Sequence, residues 1–377
     1  MEKYGRDSWV GKIINCLKRI SSIEQRIKLY ITPYELLIDP ATHKIHSQMS
    51  SMLATRRMAS SFPNFMQLPK SGGGAYVRSF FLPDKPMTFI NAKKPFHVLL
   101  SNDWSQIELV RIAEQSGDPE MLRCYQQIPY DDLHRIAYMA VMDFADEFVA
   151  RIKKMPVDAT ELDGVRFEDK NGHALTPQAF IKYLRKEIGK VSNFNYWYSG
   201  ALASIGEMMG WPSDKMWEAT ERYRARFPVG EQWRVNTQTE GCFNGFVTLC
   251  DNLRRVRFEA TTEWVEGFGN KFTFLPEGVQ KFFGLCMRKI VGRAKNQFVN
   301  TTIQGGCAAL AKRTILRSHK EFAHWMEKKY VGFKMSIHDE IVWSVDRSLV
   351  LDFIPASKAV MLNHPDLFQK CILDATT

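Results

Sequence analysis

Two short stretches hold carboxylates whose placement could do chemistry. In "HVLLSNDWSQIELVRIAEQSGD" (His97 to Asp118) an apolar run stops at Asp103. In "VGFKMSIHDEIVWSV" (331–345) apolar residues flank a His338-Asp339-Glu340 tip, a pattern that predicts strand, short turn, strand. Carboxylates at two strand ends, brought together by a fold, could hold two divalent metals. Two-metal sites clamp the attacking and leaving oxygens of an in-line phosphoryl displacement. Mg²⁺ suits such a site because it binds through one or two carboxylates plus substrate phosphates. Glu340 stands beside Asp339 as a helper. Taken alone, either aspartate reads better as an end-of-strand turn residue. A His-Asp pair alone equally suggests a metal phosphohydrolase, but no second histidine cluster supports it.

A third stretch, "LRKEIGKVSNFNYWYSG" (184–200), repeats Lys186, Lys190, Phe194 and Tyr198 at steps of four. On an α-helix such steps drift by about 40° each, so all four side chains share one third of the circumference over roughly 18 Å. That face runs from ammonium groups, which meet phosphate oxygens, to rings that stack on a base or sugar. A nucleoside triphosphate has the same polarity. An amphipathic helix with buried aromatics and solvated lysines has this pattern too.

The elements that must position these groups are legible in outline. "FHVLL" (96–100) reads as a buried strand, and Ile107, Val110 and Ala113 follow at helical spacing. Asp118 is a helix cap with Pro119 at the first position. Residues 1–50 read as helical and then loop-like. Residues 55–81 are turn-rich, and the three glycines at 72–74 lack the GK[ST] ending of a phosphate loop, so a flexible connection is expected there. Residues 143–177 have mixed charge and few large apolar residues, and Asn171-Gly172 could turn a small hairpin. A helix is expected over 180–209, a hairpin over 245–260 and a helical tract over 279–330.

The chain has 377 residues, enough for two or three lobes at roughly 150 residues each. Its net charge of +10 suits a polyanionic partner, although a basic proteome background would give the same excess. Seven cysteines form no CxxC pair, which disfavours a zinc site and predicts reduced, mostly buried thiols. No apolar run approaches the roughly 20 residues of a membrane span, and the N-terminus lacks a signal-peptide core. The expectation is a soluble chain in a bacterial or phage-infected host cytoplasm, with no membrane partner.

Together the three stretches resemble the motifs of the family A DNA polymerases. "DWSQIEL" is similar to motif A, "KEIGKVSNFNYWYSG" to motif B and "SIHDEIV" to motif C. "TRRMASSFPNFMQLP" resembles the family's TGRLSSxxPNLQNIP segment, "DDLH" (131–134) its DIH, and "NTTIQGG" (300–306) its NxxxQG. The six segments keep the family's order. The resemblance implies an α+β fold: an antiparallel palm sheet carrying Asp103 and Asp339, with a mainly helical fingers lobe in a right-hand architecture. It implies template-directed addition of dNTPs to a primer 3′ end with two Mg²⁺ ions on Asp103 and Asp339, assisted by Glu340. Glu108 would exclude the ribose 2′-hydroxyl. Lys190, Lys186, Arg185, Gln106 and His134 would meet the nucleotide, Phe194 would lie beside its sugar, and Tyr198 would stack near the templating position. Arg57, Asn300 and Gln304 would touch the primer–template minor groove, and His338 would support the primer end.

The resemblance divides the chain into a reduced thumb remnant (1–54), palm (55–116), fingers (117–244, with an insertion at 143–177) and palm again (245–377). Lys186 stands where the family usually has arginine, with Arg185 adjacent, and lysine lacks the bidentate fork. Trp104 follows the motif A aspartate where tyrosine is common, and Ser199 follows Tyr198 where glycine is usual. No proofreading exonuclease and little thumb are expected in this chain. A separate chain supplying thumb, exonuclease or processivity function would complete it, in a phage-type replication setting. The competing readings are a non-catalytic DNA-binding subunit or decayed remnant, and a single-subunit RNA polymerase, against which Glu108 argues.

Overall fold

The computed structural model describes residues 8–51, 53, 55–68, 72–85, 96–250, 254–257, 261, 264–267 and 273–377. Helix α1 (Trp9–Arg26) starts at Ser8, whose hydroxyl accepts from the Gly11 N–H, and continues through a π-helical turn (Ile27–Ile31) into α2 (Thr32–Leu37). Strands β1 (Gln48–Ser50) and β2 (Ala59–Ser61) pair antiparallel. The glycine-rich stretch expected to be a flexible connection winds into a 3₁₀ helix at Gly72–Phe80. Strand β3 (His97–Trp104) runs longer than its apolar core, and α3 (Ile107–Ser116) and α4 (Pro119–Tyr125) follow. Next come α5 (Leu133–Met142), α6 (Asp146–Lys153) and a short hairpin, β4 (Glu161–Leu162) with β5 (Val165–Arg166). Its turn is Asp163-Gly164, whereas Asn171-Gly172 closes only a single Glu168–Ala174 bridge.

The helix expected over 180–209 is α7 (Pro177–Tyr183), a π segment (Leu184–Lys190) and α8 (Val191–Ser199), which run on from one another. It stops at Gly200 (φ 78°), and α9 (Ala203–Met209) is a separate helix. Then come α10 (Ser213–Arg226), α11 (Pro228–Asn244) and the expected hairpin, β6 (Phe246–Thr248) with β7 (Arg254–Val256); residues 251–253 and 258–260 of that stretch lie outside the described residues. The helical tract is α12 (Glu277–Glu321) and α13 (Ala323–Glu327). Strands β8 (Val331–Ile337) and β9 (Glu340–Asp346) and helix α14 (Val350–Leu362) complete the frame.

Two compact units share this chain. The first holds residues 1–103, 319–356 and 377. Its antiparallel sheet runs β3–β9–β8, with β9 central and buried along its whole length. Behind it Phe322, Trp325, Phe333, Trp343 and Phe353 pack with ring centroids 5.0 to 5.9 Å apart. A second cluster, Tyr34, Phe65, Leu68 and Val77, closes on Ile337, the last residue of β8, and so anchors the hairpin tip.

The second unit holds residues 104–318 and 357–376. Its core includes an aromatic group from α8 and α10: Tyr196, Trp197, Tyr223 and Phe227. Asp118 is wholly buried. It caps α4 through the Glu120 and Met121 N–H groups and takes a third bond from the Gly230 N–H of α11 at 3.0 Å. Glu114 accepts from the backbone of Gln369, Lys370 and Cys371. The cysteines depart from expectation: only Cys124 and Cys371 are buried and Cys16 is exposed, because most lie on the flanks of amphipathic helices.

Replacing Asp118 with Ala removes the cap and leaves the buried Gly230 N–H unsatisfied. The expected cost is about 2–4 kcal/mol in urea unfolding, from about 1 for a cap and 1–3 for an orphaned buried donor. A loss under half a kcal/mol would show that α4 and α11 are held by other contacts.

Candidate active site

In the first unit the sheet register builds the site. Successive strand residues alternate faces, so Ser101 and Asp103 point the same way. Asp103 is the direct partner of Glu340 across the β3–β9 pair, which puts Glu340 on that face too. Ile337 pairs with Glu340 across the hairpin, leaving His338 and Asp339 as a two-residue turn. His338 takes the left-handed backbone (φ 58°), a conformation in which histidine is enriched, and lies exposed. Asp103 and Asp339 are half-buried, and Glu340 is buried.

Carboxylates directly opposite in a sheet repel. Here Glu340 is drawn aside: Ser101 Oγ donates to its Oε1 at 2.5 Å, and the Arg78 guanidinium lies 3.5 Å from its Oε2. Asp103 and Asp339 bring two further carboxylates to this strand end and turn. Among the described residues no three His, Cys, Asp or Glu side chains are grouped to hold a metal. The carboxylates of Asp103 and Asp339 nevertheless fit Mg²⁺, which takes one or two from the protein and the rest from water and phosphate. Arg57 lies in the same unit, half-buried in the loop before β2.

The second unit gathers the other expected residues. Gln106 enters α3 in the left-handed conformation (φ 52°), and its Oε1 accepts from Tyr125 Oη at 3.2 Å. Glu108, in the first turn, accepts a short hydrogen bond from Tyr198 Oη. Burial first and the Glu108 carboxylate second hold the Tyr198 phenol well above its usual range, and Gln304 bonds the same side chain. Asn300 and Gln304, one turn apart on α12, share a face. The Phe194 and Tyr198 rings stack, 6.2 Å apart.

The π segment changes the lysine pattern. Its i→i+5 winding alters the rotation between Lys186 and Lys190, so an even four-residue stripe holds only from Lys190 onward. Lys190 is exposed. Lys186, also exposed, pairs with Glu187 at 2.9 Å, and Arg185 Nε donates to Asp132 at 2.7 Å. Two glycines permit the arrangement. A Cβ at Gly189 would sit 2.0 Å from the His134 carbonyl oxygen, so only glycine lets this helix lie against α5. A Cβ at Gly200 would meet Arg234 Nη1 at 2.7 Å in an unfavourable left-handed backbone.

His134 is buried. Its Nδ1 lies 2.9 Å from Asn193 Nδ2, which also points to the Leu133 carbonyl, while Asn193 Oδ1 accepts from Tyr223 Oη at 2.5 Å. These bonds fix the amide, so His134 Nδ1 accepts and its proton stands on Nε2. Burial, aided by Arg185, lowers the His134 pKa to about 4.

The sequence model of DNA polymerase family A matches residues 8–155. The thermostable DNA polymerase I of Thermus aquaticus is 22% identical over 372 residues, covering 96% of this chain and 36% of its own length. DNA polymerase I of Pseudomonas aeruginosa is 24% identical over 343 residues, covering 90% and 30%. Among solved structures, the polymerase domain of Pol1 from M. smegmatis, in complex with DNA primer-template and dNTP, superposes with a TM-score of 0.66. That match has 15% identity and covers 93% of this chain and 50% of the other. Over residues 8–155 this chain is similar to DNA polymerase family A. It spans about a third of the length of these curated relatives, all of them bacterial.

Around these residues, sequence reasoning missed the supports. Ser101 and Arg78 steer Glu340, and Asn193 with Tyr223 sets the His134 tautomer. Ser101 was findable, because it stands two residues before Asp103 on a strand. The others depend on long-range contacts.

His134 and His364, a second buried histidine bonded to Thr314, both have pKa values lowered to about 4 from 6.5. The folded chain refuses protons that the unfolded chain takes up below about 6.5. Their contribution is therefore complete above pH 6.5 and is lost as pH falls toward 4. Urea midpoints should fall between pH 7 and pH 5, above the range where carboxylates titrate. A flat or rising midpoint would contradict the neutral buried state of both rings.

Proposed function

We propose that this chain catalyses template-directed DNA synthesis, adding dNTPs to a primer 3′ end by two-metal nucleotidyl transfer in a phage-type replication setting. The observation that carries the reading is the register that sets Asp103 opposite Glu340, one residue from Asp339 in the hairpin turn. The match of residues 8–155 to the family A model and a fold like that of a polymerase domain support it. No helix among the described residues is long and apolar enough to cross a membrane.

On this reading Asp103 and Asp339 hold two Mg²⁺ ions, which when bound neutralise charge on the transferring phosphoryl group. Glu340, steered by Ser101 and Arg78, adds negative potential beside the two aspartates and assists them. Lys190 meets the triphosphate as a point charge, with Lys186 and Arg185 nearby in sequence. His134, neutral and protonated on Nε2, donates to phosphate rather than taking a proton from it. Phe194 lies beside the sugar, Tyr198 guards the templating position, and Glu108 fills the space a 2′-hydroxyl needs, with Gln106 fixing the start of that helix. Arg57, Asn300 and Gln304 read the minor groove, whose acceptors are degenerate in sequence, and so test pair shape. His338 supports the primer end.

Primer extension with Mg²⁺ and dNTPs tests this directly. Asp103→Ala and Asp339→Ala should each reduce extension about 10³-fold or more, since the ions supply several kcal/mol. DNA binding without extension by the unaltered chain would support a binding subunit instead. Glu108→Ala should raise ribonucleotide incorporation relative to deoxynucleotide incorporation. An unchanged ratio would remove Glu108 from sugar selection.

A further inference from the structure

Helix α1 carries an apolar seam that the described residues leave exposed. Trp9, Ile13, Cys16, Ile20, Ile23 and Ile27 fall at alternating steps of four and three, the a/d spacing of a coiled coil. Trp9 is 74% exposed, and Ile20 and Ile23 are half exposed. The opposite flank is the one the unit covers: Gly11 is buried, and Val10 and Ile14 are half-buried. At the π-helical turn the pattern changes occupant. Tyr30 and Tyr34, next in the same spacing, turn into the unit's own core against Phe65 and Phe81. The seam is therefore an outward extension of a packed aromatic core.

The residues beside the seam say what could cover it. In heptad terms the g positions are Lys12, Arg19 and Arg26, and Lys18 and Lys28 add two more cations. The only acid on the helix is Glu24. A second copy would bring cations against cations in an antiparallel pair and gain one Arg19–Glu24 contact per side in a parallel one. Nucleic acid would satisfy the cations but cannot cover isoleucine and tryptophan. Leu17, 59% exposed at one e position, widens the seam on that side, and an anionic membrane is therefore an arm of the test below. We infer that α1 is the docking face for an amphipathic helix of another polypeptide, with apolar a/d residues flanked by Asp or Glu.

The test uses the full chain and a synthetic, dye-labelled peptide of about four heptads, with Leu at a and d and Glu at e and g. Fluorescence anisotropy should show saturable binding. Two control peptides of similar length, one with Lys at e and g and one with the Leu and Glu positions scrambled, should each bind at least about tenfold more weakly. Ile20→Asp, on the exposed seam, should weaken binding of the first peptide about tenfold while leaving the thermal melt unchanged. If that variant failed to fold, the comparison of peptides on the unaltered chain would still decide. Equal binding of the scrambled peptide would reduce the effect to charge and overturn the proposal. So would sedimentation with anionic phosphatidylglycerol vesicles that Ile20→Asp abolishes, or concentration-dependent dimerisation through α1. None of these readouts uses catalysis, so they stand or fall separately from the polymerase reading.

Discussion

The pairing of β3 with β9 is the constraint on which the first unit depends. One register puts Asp103 opposite Glu340 and leaves Asp339 in the adjoining turn. A slip of one residue would send Ser101 and Asp103 to the other face. Nothing about the aspartates themselves prevents this, since two carboxylates side by side favour separation. The register is held by apolar packing: Trp343 on β9 sits among Phe322, Phe333 and Phe353, and Ile337 is locked under Tyr34 and Phe65. A hydrophobic cluster thus holds a polar site in a geometry that electrostatics alone would oppose.

The second unit solves a different problem, that of holding a basic and aromatic helix rigidly while keeping its lysines exposed. Close approach at Gly189 brings the π segment against α5. The buried chain from His134 through Asn193 to Tyr223 then ties the three helices together. Every member of that chain has a partner, which makes it stabilising rather than costly. π segments are rare and cluster at functional positions, and this one carries both motif lysines. The Glu108–Tyr198–Gln304 group links α3, α8 and α12 in the same manner.

Much of this was legible in order and type. The strand ending at Asp103, the helix capped by Asp118, the hairpin with the His338-Asp339 tip and the long helix beyond residue 279 all follow from periodicity and turn residues. The misses are as instructive. The helix expected over 180–209 ends early, because Gly200 stops it where a Cβ would strike Arg234, a contact across distant positions. Asn171-Gly172 closes a single bridge, while the paired strands form at Asp163-Gly164, a dipeptide with the same turn chemistry. The even stripe of Lys186, Lys190, Phe194 and Tyr198 assumed α-helical winding, which the π segment breaks.

The sequence by itself determined the inventory: two aspartates at strand ends, a lysine–aromatic helix and a basic chain whose motifs stand in family order. Those properties are local, set by residue type and spacing. Only the tertiary structure decided that Glu340 turns to Ser101 and Arg78, that His134 is neutral with its proton on Nε2, and that Tyr198 is bound to Glu108. Orientation, tautomer and burial arise from partners up to hundreds of residues away, and a pattern along one strand or helix carries no record of what the fold places against it.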